Sequence, residues 1–408
     1  MDARDPVRVL DLRNHDAVDR WRLSGPSVTL TQRPHNRFLQ AKVTDSIDEF
    51  VADVDGSGPI TVVCARGEAS AAVAADLAAA GHAARNLAGG MDAWARLLQS
   101  WSLSPSGPTD APDGVDATPR DGVDDTDSAV GPTVLQYRRP ASGCLGYAVV
   151  SDGEAAVVDP LRAFTDRYVA DAADRGASVE YVVDTHLHAD HVSGLRSLAA
   201  AADATPVVPA PTAARGIEFD AETVADGDTL AVGDAALTAV HAPGHTSDMT
   251  AFAVREGAVD DTADDTDDDG PPILLTGDSL FVDGVARPDL ERGADGAREF
   301  ARDLYRTLTD RFARFSDPTL VAPGHHGEAT APGEGGVVAT LGECRHLRAL
   351  GLSESAFVDH VAGDRPERPT NFERVVAINR GAETADDEAA FELELGPNNC
   401  AAAPVDAE

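Results

Sequence analysis

The residues best able to do chemistry stand in one short run, Thr185-His186-Leu187-His188-Ala189-Asp190-His191. Three imidazoles and one carboxylate share six consecutive positions there. Neutral imidazole is the commonest protein ligand for zinc and iron, and an aspartate adds compensating negative charge. One histidine alone is usually structural, but this density predicts a metal centre.

Three later residues have the form of further ligands, namely His245, Asp278 and His325. Each follows an apolar run typical of a strand, and each stands directly after a glycine. Glycine lets the backbone turn sharply and approach a metal closely. We therefore expect these three side chains to join the histidine-rich run in space.

A different chemistry is indicated at Cys64, which follows the apolar run Ile60-Thr61-Val62-Val63. Residues 65–69 form a short loop before a helix predicted to begin near Ser70. The backbone N–H groups of such a loop, and the partial positive charge of the helix N-terminus, favour thiolate over thiol. The alternative is a small buried hydrophobic residue at a strand end.

The elements that must position these residues follow from hydrophobic periodicity. Residues 7–13 and 60–64 are strand-like and residues 70–82 are helix-forming, which predicts a small α/β domain with a parallel sheet. In the second half, strand-like runs and helical segments at 191–202 and 294–312 predict a mixed α/β domain with several antiparallel strands. Its strand-like runs lie at 147–151, 155–160, 179–185, 206–210, 235–243, 273–278 and 319–325.

Three segments of the first half resemble a single rhodanese domain, over about residues 5–101: Asp11-Leu12-Arg13, the C-x-x-G-x-x-S loop at Cys64, and residues 87–94. The resemblance implies that Cys64 carries a sulfane sulfur as a persulfide, with Arg66 as the cation for substrate. Many thiosulfate-using rhodaneses have a second basic residue where this chain has Glu68-Ala69. The loop is therefore net neutral, and the sulfur donor stays open.

The metal-ligand motifs resemble the metallo-β-lactamase superfamily over about residues 131–345. This resemblance implies an αββα sandwich with metals in a cleft at one edge. By position, His186, His188 and His245 match its first metal site, Asp190, His191 and His325 match its second, and Asp278 bridges them. Asp190 is also the candidate catalytic residue of this half, as Cys64 is of the first.

The run Phe281–Leu290 resembles a segment of glyoxalase II-like thioesterases and persulfide dioxygenases, which usually have glycine where Ala286 stands. There Arg287 and Asp289 would lie near the metal cleft, and Arg287 could bind the carboxylate of a small thiol. The alternative is a surface Arg–Asp pair. Residues 368–372 and 378–381 resemble the C-terminal part of dioxygenases fused to rhodanese domains.

Two reactions fit these resemblances. A persulfide dioxygenase would hold one Fe(II) on His186, His245 and Asp278 and oxidise a low-molecular-weight thiol persulfide to sulfite. A thioester hydrolase of the hydroxyacylglutathione hydrolase type would instead use all seven residues for zinc or a mixed dinuclear site. The fusion favours the dioxygenase, because a rhodanese handles persulfide and sulfite, which are its substrate and product.

A non-catalytic sulfur carrier or metal-dependent sensor is the third hypothesis. Closed structural zinc sites usually have four ligands rich in cysteine. The predicted metal cluster contains no cysteine and more histidine and aspartate than a closed site uses. An enzyme is therefore the favoured interpretation.

The sequence thus predicts a two-domain α/β protein, in which a small parallel-sheet rhodanese domain (residues 1–103) precedes the αββα metallo-β-lactamase sandwich. Residues 104–130, rich in proline, glycine and aspartate, are predicted to be a linker, and residues 131–408 form the second domain with a C-terminal extension. A second acidic run, 260–269, carries seven aspartates and is predicted to be a surface loop between two strands.

Composition restricts the partners. Seventy acidic residues against 33 basic ones give a net charge of −37, a field that repels nucleic acids and anionic membranes. A single lysine, Lys42, among so many carboxylates is typical of a salt-loving, haloarchaeal protein. Four cysteines without a C-x-x-C pair, no signal peptide and no long apolar run predict a cytoplasmic protein with free thiols. A homo-oligomer is compatible with these data.

Overall fold

The computed structural model describes residues 6–103, 131–257 and 272–403, apart from positions 26, 55, 57, 328–329, 331, 334, 364–366, 370 and 397–398. Its first sheet has four parallel strands in the order β2-β1-β3-β4, which confirms the predicted parallel α/β domain. The strands are β1 (Val7–Asp11), β2 (Val28–Gln32), β3 (Ile60–Val63) and β4 (Ala84–Asn86). The helices are α1 (His15–Arg20), α2 (His35–Val43), α3 (Ile47–Val51), α4 (Glu68–Ala79) and α5 (Gly90–Ala95).

Both faces of this sheet are covered, which explains its continuous apolar strands. Successive residues of a strand point to opposite faces. In β3, Val62 packs in one core cluster with Leu77 of α4, whereas Val63 packs in another with Met91 and Ala95 of α5. The end of β3, where Cys64 stands, is therefore held between helices on both sides.

The second half forms two further sheets. One has seven strands in the order β11-β10-β9-β8-β7-β6-β5, and the other has six in the order β12-β13-β14-β15-β16-β17. The strands are β5 (Gln99–Leu103), β6 (Thr133–Arg138), β7 (Leu145–Ser151), β8 (Glu154–Val158), β9 (Ser178–Val183), β10 (Thr205–Pro209), β11 (Glu222–Val224), β12 (Thr229–Val232), β13 (Ala235–His241), β14 (Thr250–Glu256), β15 (Ile273–Gly277), β16 (Leu320–Pro323) and β17 (Ala339–Thr340).

Helices flank the two sheets. They are α6 (Thr165–Ala173), α7 (Leu195–Ala202), α8 (Ala210–Ala214), α9 (Gly293–Arg306), α10 (Leu341–Cys344), α11 (Glu354–Gly363), α12 (Phe372–Asn379) and α13 (Asp387–Leu393). Shorter helical turns lie at Arg162–Phe164, Thr307–Arg311, Phe312–Arg314 and Arg348–Gly351.

Three core clusters define the layers of this half. The cluster between the sheets joins residues such as Val149 of β7 to Phe252 of β14. A second cluster packs Val150 against Tyr168 of α6, and a third packs Leu274 of β15 with Leu304 of α9. The order of layers is helix, sheet, sheet, helix, so the predicted αββα architecture is confirmed.

The strand β5 alters the predicted organisation of the chain. It lies inside the segment 1–103 that the sequence assigned to the first domain, but it pairs antiparallel with β6 of the seven-stranded sheet. The polypeptide therefore passes from the first sheet to the second at residues 96–98, ahead of the predicted boundary at 103. The predicted linker 104–130 lies outside the described residues, and the two strands that flank it belong to one sheet rather than to two domains.

Two other expectations concern local elements. The acidic run 260–269 lies outside the described residues, while the flanking strands β14 and β15 pair antiparallel. The helix predicted over 191–202 begins only at Leu195, because residues 191–194 belong to the turn that carries the histidines. No helix in the described part of the chain is both long and apolar enough to cross a bilayer.

Candidate metal centre and sulfur-transfer site

The histidine-rich run forms an irregular turn between β9 and α7. The other expected ligands follow strands of the facing sheet, with His245 between β13 and β14, Asp278 after β15 and His325 after β16. Gly277, directly before Asp278, has φ +47°, and a Cβ there would lie 2.2 Å from Met249 Cε. Glycine is therefore required where the chain turns to present the aspartate.

Three of the expected ligands form one group. Ligand atoms of His186, His245 and Asp278 lie within 4.8 Å of one another. Asp278 Oδ2 is 4.0 Å from His186 Nε2 and 3.6 Å from His245 Nε2. All three atoms are buried and have no hydrogen-bond partner, so a cation is the partner that fits them.

The remaining four residues lie nearby but are engaged with other groups. His188 Nε2 donates to Asp159 at 2.9 Å. His325 donates from Nδ1 to Asp278 at 2.5 Å and from Nε2 to Asp190 at 2.7 Å, so both of its nitrogens are occupied. His191 Nδ1 donates to Asp190 at 3.2 Å. His188 Nδ1, Asp190 Oδ1 and His191 Nε2 stay without partners.

Burial and neighbouring charges set the protonation of this group. Burial, together with the nearby His188, lowers the pKa of His186 to about 3, and burial lowers the pKa of His245. Burial alone would raise the pKa of Asp278, but the His325 imidazole beside it lowers that pKa. Two neutral imidazoles and one carboxylate are the forms that bind a divalent metal.

Several residues outside the ligand motifs hold the turn in place. Asp159 accepts the backbone N–H and the hydroxyl of Thr185 at 2.7 and 2.9 Å. Asp248 accepts the backbone N–H of Leu187 at 2.9 Å, and Asn379 donates to the carbonyls of His188 and His191 at 3.0 and 2.9 Å. Asn379 falls in the run 378–381 singled out above, which was the only sequence signal for it.

Two cysteines were also missed as neighbours of the metal centre. Cys144 Sγ lies 3.3 Å from Asp190 Oδ2. Cys400 has its sulfur within 4.8 Å of ligand atoms of Asp278 and His325. Residues around Cys400 form a short bridge to Ala286, and the Arg287 N–H donates to the Cys400 carbonyl at 3.0 Å. Their positions in the sequence, with no C-x-x-C pair or ligand motif, gave no signal.

The resemblance to the metallo-β-lactamase superfamily implies that the seven expected ligands line a cleft. In the structure they are at most 7% exposed, and Cys400 lies beside two of them, Asp278 and His325. The site therefore sits at the edge of the sandwich but under a cover.

The pair Arg287–Asp289 is buried, and Arg287 contacts His245 of the expected ligand set. Arg287 is 1% exposed and binds Asp289 through Nε and Nη2 at 2.8 and 3.1 Å, so the pair does not lie on the surface. Its Nη1 donates to the carbonyls of Glu367 and Asn399, so four of the five guanidinium N–H groups are engaged within the protein. The Arg287 carbonyl accepts from His245 Nδ1 at 2.9 Å and so orients that imidazole.

The Cys64 site lies in the first half, at the turn from β3 into α4. Its sulfur accepts hydrogen bonds from the Gly67 N–H and the Ser70 hydroxyl, both at 3.1 Å. Partial burial would raise the pKa of the Cys64 thiol, but the bonds from Ser70 and from the backbone of the loop lower it overall. Arg66 is exposed at the rim of this loop.

The loop is supported from behind by Gly90, which opens α5. The Met91 N–H donates to the Cys64 carbonyl at 3.0 Å. Gly90 has φ +62°, and a Cβ there would lie 2.3 Å from that carbonyl oxygen. This close approach requires glycine at position 90 and fixes the loop that surrounds the sulfur.

Comparison with known families agrees with this architecture. Residues 1–97 match the rhodanese-like domain, and residues 139–260 match the metallo-beta-lactamase superfamily.

Two curated relatives bear on the second half. A hydroxyacylglutathione hydrolase of Synechococcus is 33% identical over 171 residues, which is 42% of this chain and 61% of that protein. The mitochondrial persulfide dioxygenase ETHE1 of Homo sapiens is 26% identical over 230 residues, or 55% of this chain and 78% of that protein. The chain thus spans less than two thirds of the first relative.

Solved structures show the same fold. ETHE1 from Myxococcus xanthus is 26% identical, with a TM-score of 0.50, and the match covers 60% of this chain and 97% of that one. A metallo-beta-lactamase from Staphylococcus aureus has a TM-score of 0.53 at 24% identity and covers 63% of this chain and 74% of its own.

Proposed function

This chain joins a rhodanese-like domain to a domain of the metallo-β-lactamase superfamily, and we propose that it oxidises a low-molecular-weight thiol persulfide to sulfite with one Fe(II) ion. The rhodanese-like domain would transfer sulfur through Cys64. Metal binding follows from the superfamily and from the clustered side chains, whereas the choice of iron and of this reaction is the proposal.

The proposal of a single iron ion rests on three buried ligand atoms. His186 Nε2, His245 Nε2 and Asp278 Oδ2 are buried and unpartnered, and Asp278 Oδ2 lies 4.0 Å from the first nitrogen and 3.6 Å from the second. Two imidazoles and a carboxylate of this kind are typical of a mononuclear non-haem iron site. When bound, Fe(II) would supply open coordination positions for O₂ and for the persulfide sulfur.

The chain's own residues would prepare this face. Thr185 accepts from His186 Nδ1 at 3.0 Å and donates to Asp159, which leaves Nε2 of His186 free. The Arg287 carbonyl accepts from His245 Nδ1 and so leaves Nε2 of His245 free. His325 occupies Asp278 Oδ1, so that Oδ2 alone is available. Each ligand atom is thereby selected by a hydrogen bond on the far side of its group.

The reaction balances with oxygen and water. The terminal sulfur of R–S–SH acquires three oxygen atoms, two from O₂ and one from water, and the S–S bond breaks to release R–SH and sulfurous acid, which ionises to sulfite. The sulfur loses four electrons and O₂ gains four. The deep burial of the ligand residues limits bulk water at the site and so limits competing hydrolysis.

The first domain would act on the same class of molecule. The Cys64 thiolate attacks the outer sulfur of a persulfide, the S–S bond breaks, and a thiolate leaves while Cys64 keeps the sulfane sulfur. The Gly67 N–H and the Ser70 hydroxyl hold the negative charge on the sulfur. Such a domain has an evident role beside a persulfide oxidase and none beside a thioesterase.

A dinuclear thioester hydrolase is the second candidate, and a specific observation favours it. His188 Nδ1, Asp190 Oδ1 and His191 Nε2 are also buried and unpartnered, as the additional ligands of a dinuclear site would be. Against it, His325 has both nitrogens engaged. His188 belongs to a separate group with Asp159 and Asp184 rather than to the triad.

The test is oxygen uptake by chain loaded anaerobically with Fe(II) in concentrated KCl. With a thiol persulfide we expect O₂ consumption, sulfite formation and close to one iron per chain by metal analysis. Cys64→Ser should abolish sulfur transfer and leave oxygen uptake largely intact. Two tightly bound metals, no oxygen uptake and rapid thioester cleavage would instead support the hydrolase and contradict the proposal.

A further inference from the structure

The turn formed by residues 139–144, between β6 and β7, contacts both the first domain and the metal centre. We propose that this turn is a positioning relay, through which the rhodanese-like domain fixes the geometry of the metal centre. The inference rests on the metal centre of the proposed function, but not on which of the two reactions that centre performs.

The first domain binds this turn through two hydrogen bonds. Trp21 Nε1 donates to the Ala141 carbonyl at 3.1 Å. The Arg139 guanidinium donates from Nε to the carbonyl of Ala95, the last residue of α5, at 2.9 Å. Because α5 begins at Gly90 behind the Cys64 loop, the turn is docked on the same element that supports Cys64.

One route from Arg139 to the metal centre runs through Glu394. Arg139 and Glu394 form an ion pair in which both side chains are 1% exposed. Glu394 Oε1 accepts the backbone N–H of Val192 at 3.0 Å. Val192 directly follows His191, so this ion pair holds the end of the histidine-rich turn.

A second route runs along the backbone of the turn itself. The Arg139 N–H donates to the Cys144 carbonyl at 3.0 Å and closes the turn. Cys144 Sγ then donates to Asp190 Oδ2 at 3.3 Å. Cys144 also forms a β-bridge with His325, so the turn reaches two of the expected ligands.

The buried ion pair makes these routes stiff. The Arg139 guanidinium has no access to water, so it cannot replace a lost protein partner with solvent. If α5 shifts and Arg139 moves with it, either Glu394 moves as well or a buried charge is left unpaired. Interactions that orient metal ligands from behind change metal affinity by about 10–100-fold. The relay is therefore expected to act on metal affinity and on ligand geometry.

The test uses full-length chain and Co(II), whose binding and visible absorption spectrum report affinity and ligand geometry. Arg139→Met should weaken Co(II) binding by about 10–100-fold and alter the spectrum. Arg139→Lys keeps the charge and should restore part of both. The control is Arg96→Met in the same interface, because the Arg96 guanidinium carbon lies 4.1 Å from the centroid of the Phe391 ring but its ion pair is with the exposed Glu388. It should leave Co(II) binding unchanged.

Trp21→Phe is a milder second variant, for use if Arg139→Met fails to fold, because it removes one hydrogen bond and no buried charge. It should also weaken Co(II) binding, by about threefold or more. Wild-type Co(II) affinity and spectrum in Trp21→Phe and in each folded Arg139 variant would overturn the relay. Failure of the unaltered chain to bind Co(II) would overturn the metal centre itself.

Discussion

At the scale of single residues, the metal centre depends on what each ligand does with the atom that faces away from the metal. His186 donates from Nδ1 to Thr185, and His245 donates from Nδ1 to the Arg287 carbonyl, so both present an unprotonated Nε2. His325 uses both nitrogens on carboxylates and presents none. The hydrogen bonds on the far side of each group therefore leave three atoms free to bind a metal, although the site contains more histidines and aspartates than that.

Cys64 gives the first prediction at this scale. Ser70→Ala removes one of the hydrogen bonds to the sulfur, which should raise the pKa of Cys64 by about one unit. The pH profile of iodoacetamide alkylation should then move to higher pH, with up to about tenfold slower reaction at neutral pH. The other three cysteines are each 1% exposed, so the measured rate belongs to Cys64.

Ser102→Ala is the matched control, because Ser102 is exposed in β5 and distant in sequence from the loop. Its alkylation profile should coincide with that of the unaltered chain. An unchanged profile in Ser70→Ala would mean that the backbone N–H groups alone set the Cys64 pKa.

The motifs indicated His186, His245 and Asp278, which the structure brings together, because each of the three lies in a turn after an apolar strand. They did not locate Asp159, Asp248 or Cys144, whose contacts with the metal turn exist only after folding. Asn379 reaches His188 across 191 positions of the chain, a relation that no local pattern encodes. An Arg–Asp spacing carries no information about burial, so the sequence could not choose between a surface pair at Arg287 and Asp289 and a pair beside the metal centre.

At the scale of elements, the segment around Cys400 is held over the metal centre by the buried Arg287–Asp289 pair. Ala286 and Ala401 form a β-bridge, and the Arg287 guanidinium binds the Asn399 carbonyl. The ion pair thus joins the loop after β15, which carries Asp278, to the end of the described chain. The segment around Cys400 and the loop that carries Asp278 therefore both depend on the Arg287 side chain.

Arg287→Met should therefore lower the free energy of unfolding by about 3–5 kcal/mol, because Asp289 is left as a buried charge without its main partner. The double variant Arg287→Met/Asp289→Leu removes both charges and should recover most of the loss. Urea denaturation in concentrated KCl measures both values.

Arg298→Met is the control, since Arg298 pairs with Asp359 at 2.7 Å on the surface. It should change stability by less than about 1 kcal/mol. A loss in the double variant as large as in Arg287→Met would show that packing of the long side chain, and not its charge, holds the segment.

Element prediction succeeded where periodicity was strong and failed where tertiary pairing decides. The strands at 60–64 and 273–278 and the helix at 70–82 formed close to their predicted limits. The short strand β5 has no distinctive pattern, and its placement depends on pairing with β6 across the segment 104–130. Composition predicts a linker at 104–130 but does not indicate which two elements it joins.

At the scale of the whole molecule, the charge of −37 sets the conditions under which these sites exist. Negatively charged carboxylates repel one another more strongly in the folded state than in the unfolded chain, because folding brings them closer together. At 1 M salt the screening length falls to about 3 Å, which suppresses repulsion between neighbours on the surface. Buried pairs such as Arg139–Glu394 are screened much less and keep their strength.

The free energy of unfolding should consequently rise with KCl between about 0.1 and 2 M, since screening relieves repulsion in the folded state. NaCl at equal ionic strength should give a similar rise, because screening depends on ionic strength. Urea denaturation at each salt concentration, with Co(II) absorption as a second signal, follows the fold and the metal centre together. Full stability in dilute buffer would contradict this prediction and would leave the acidic surface without a role in salt adaptation.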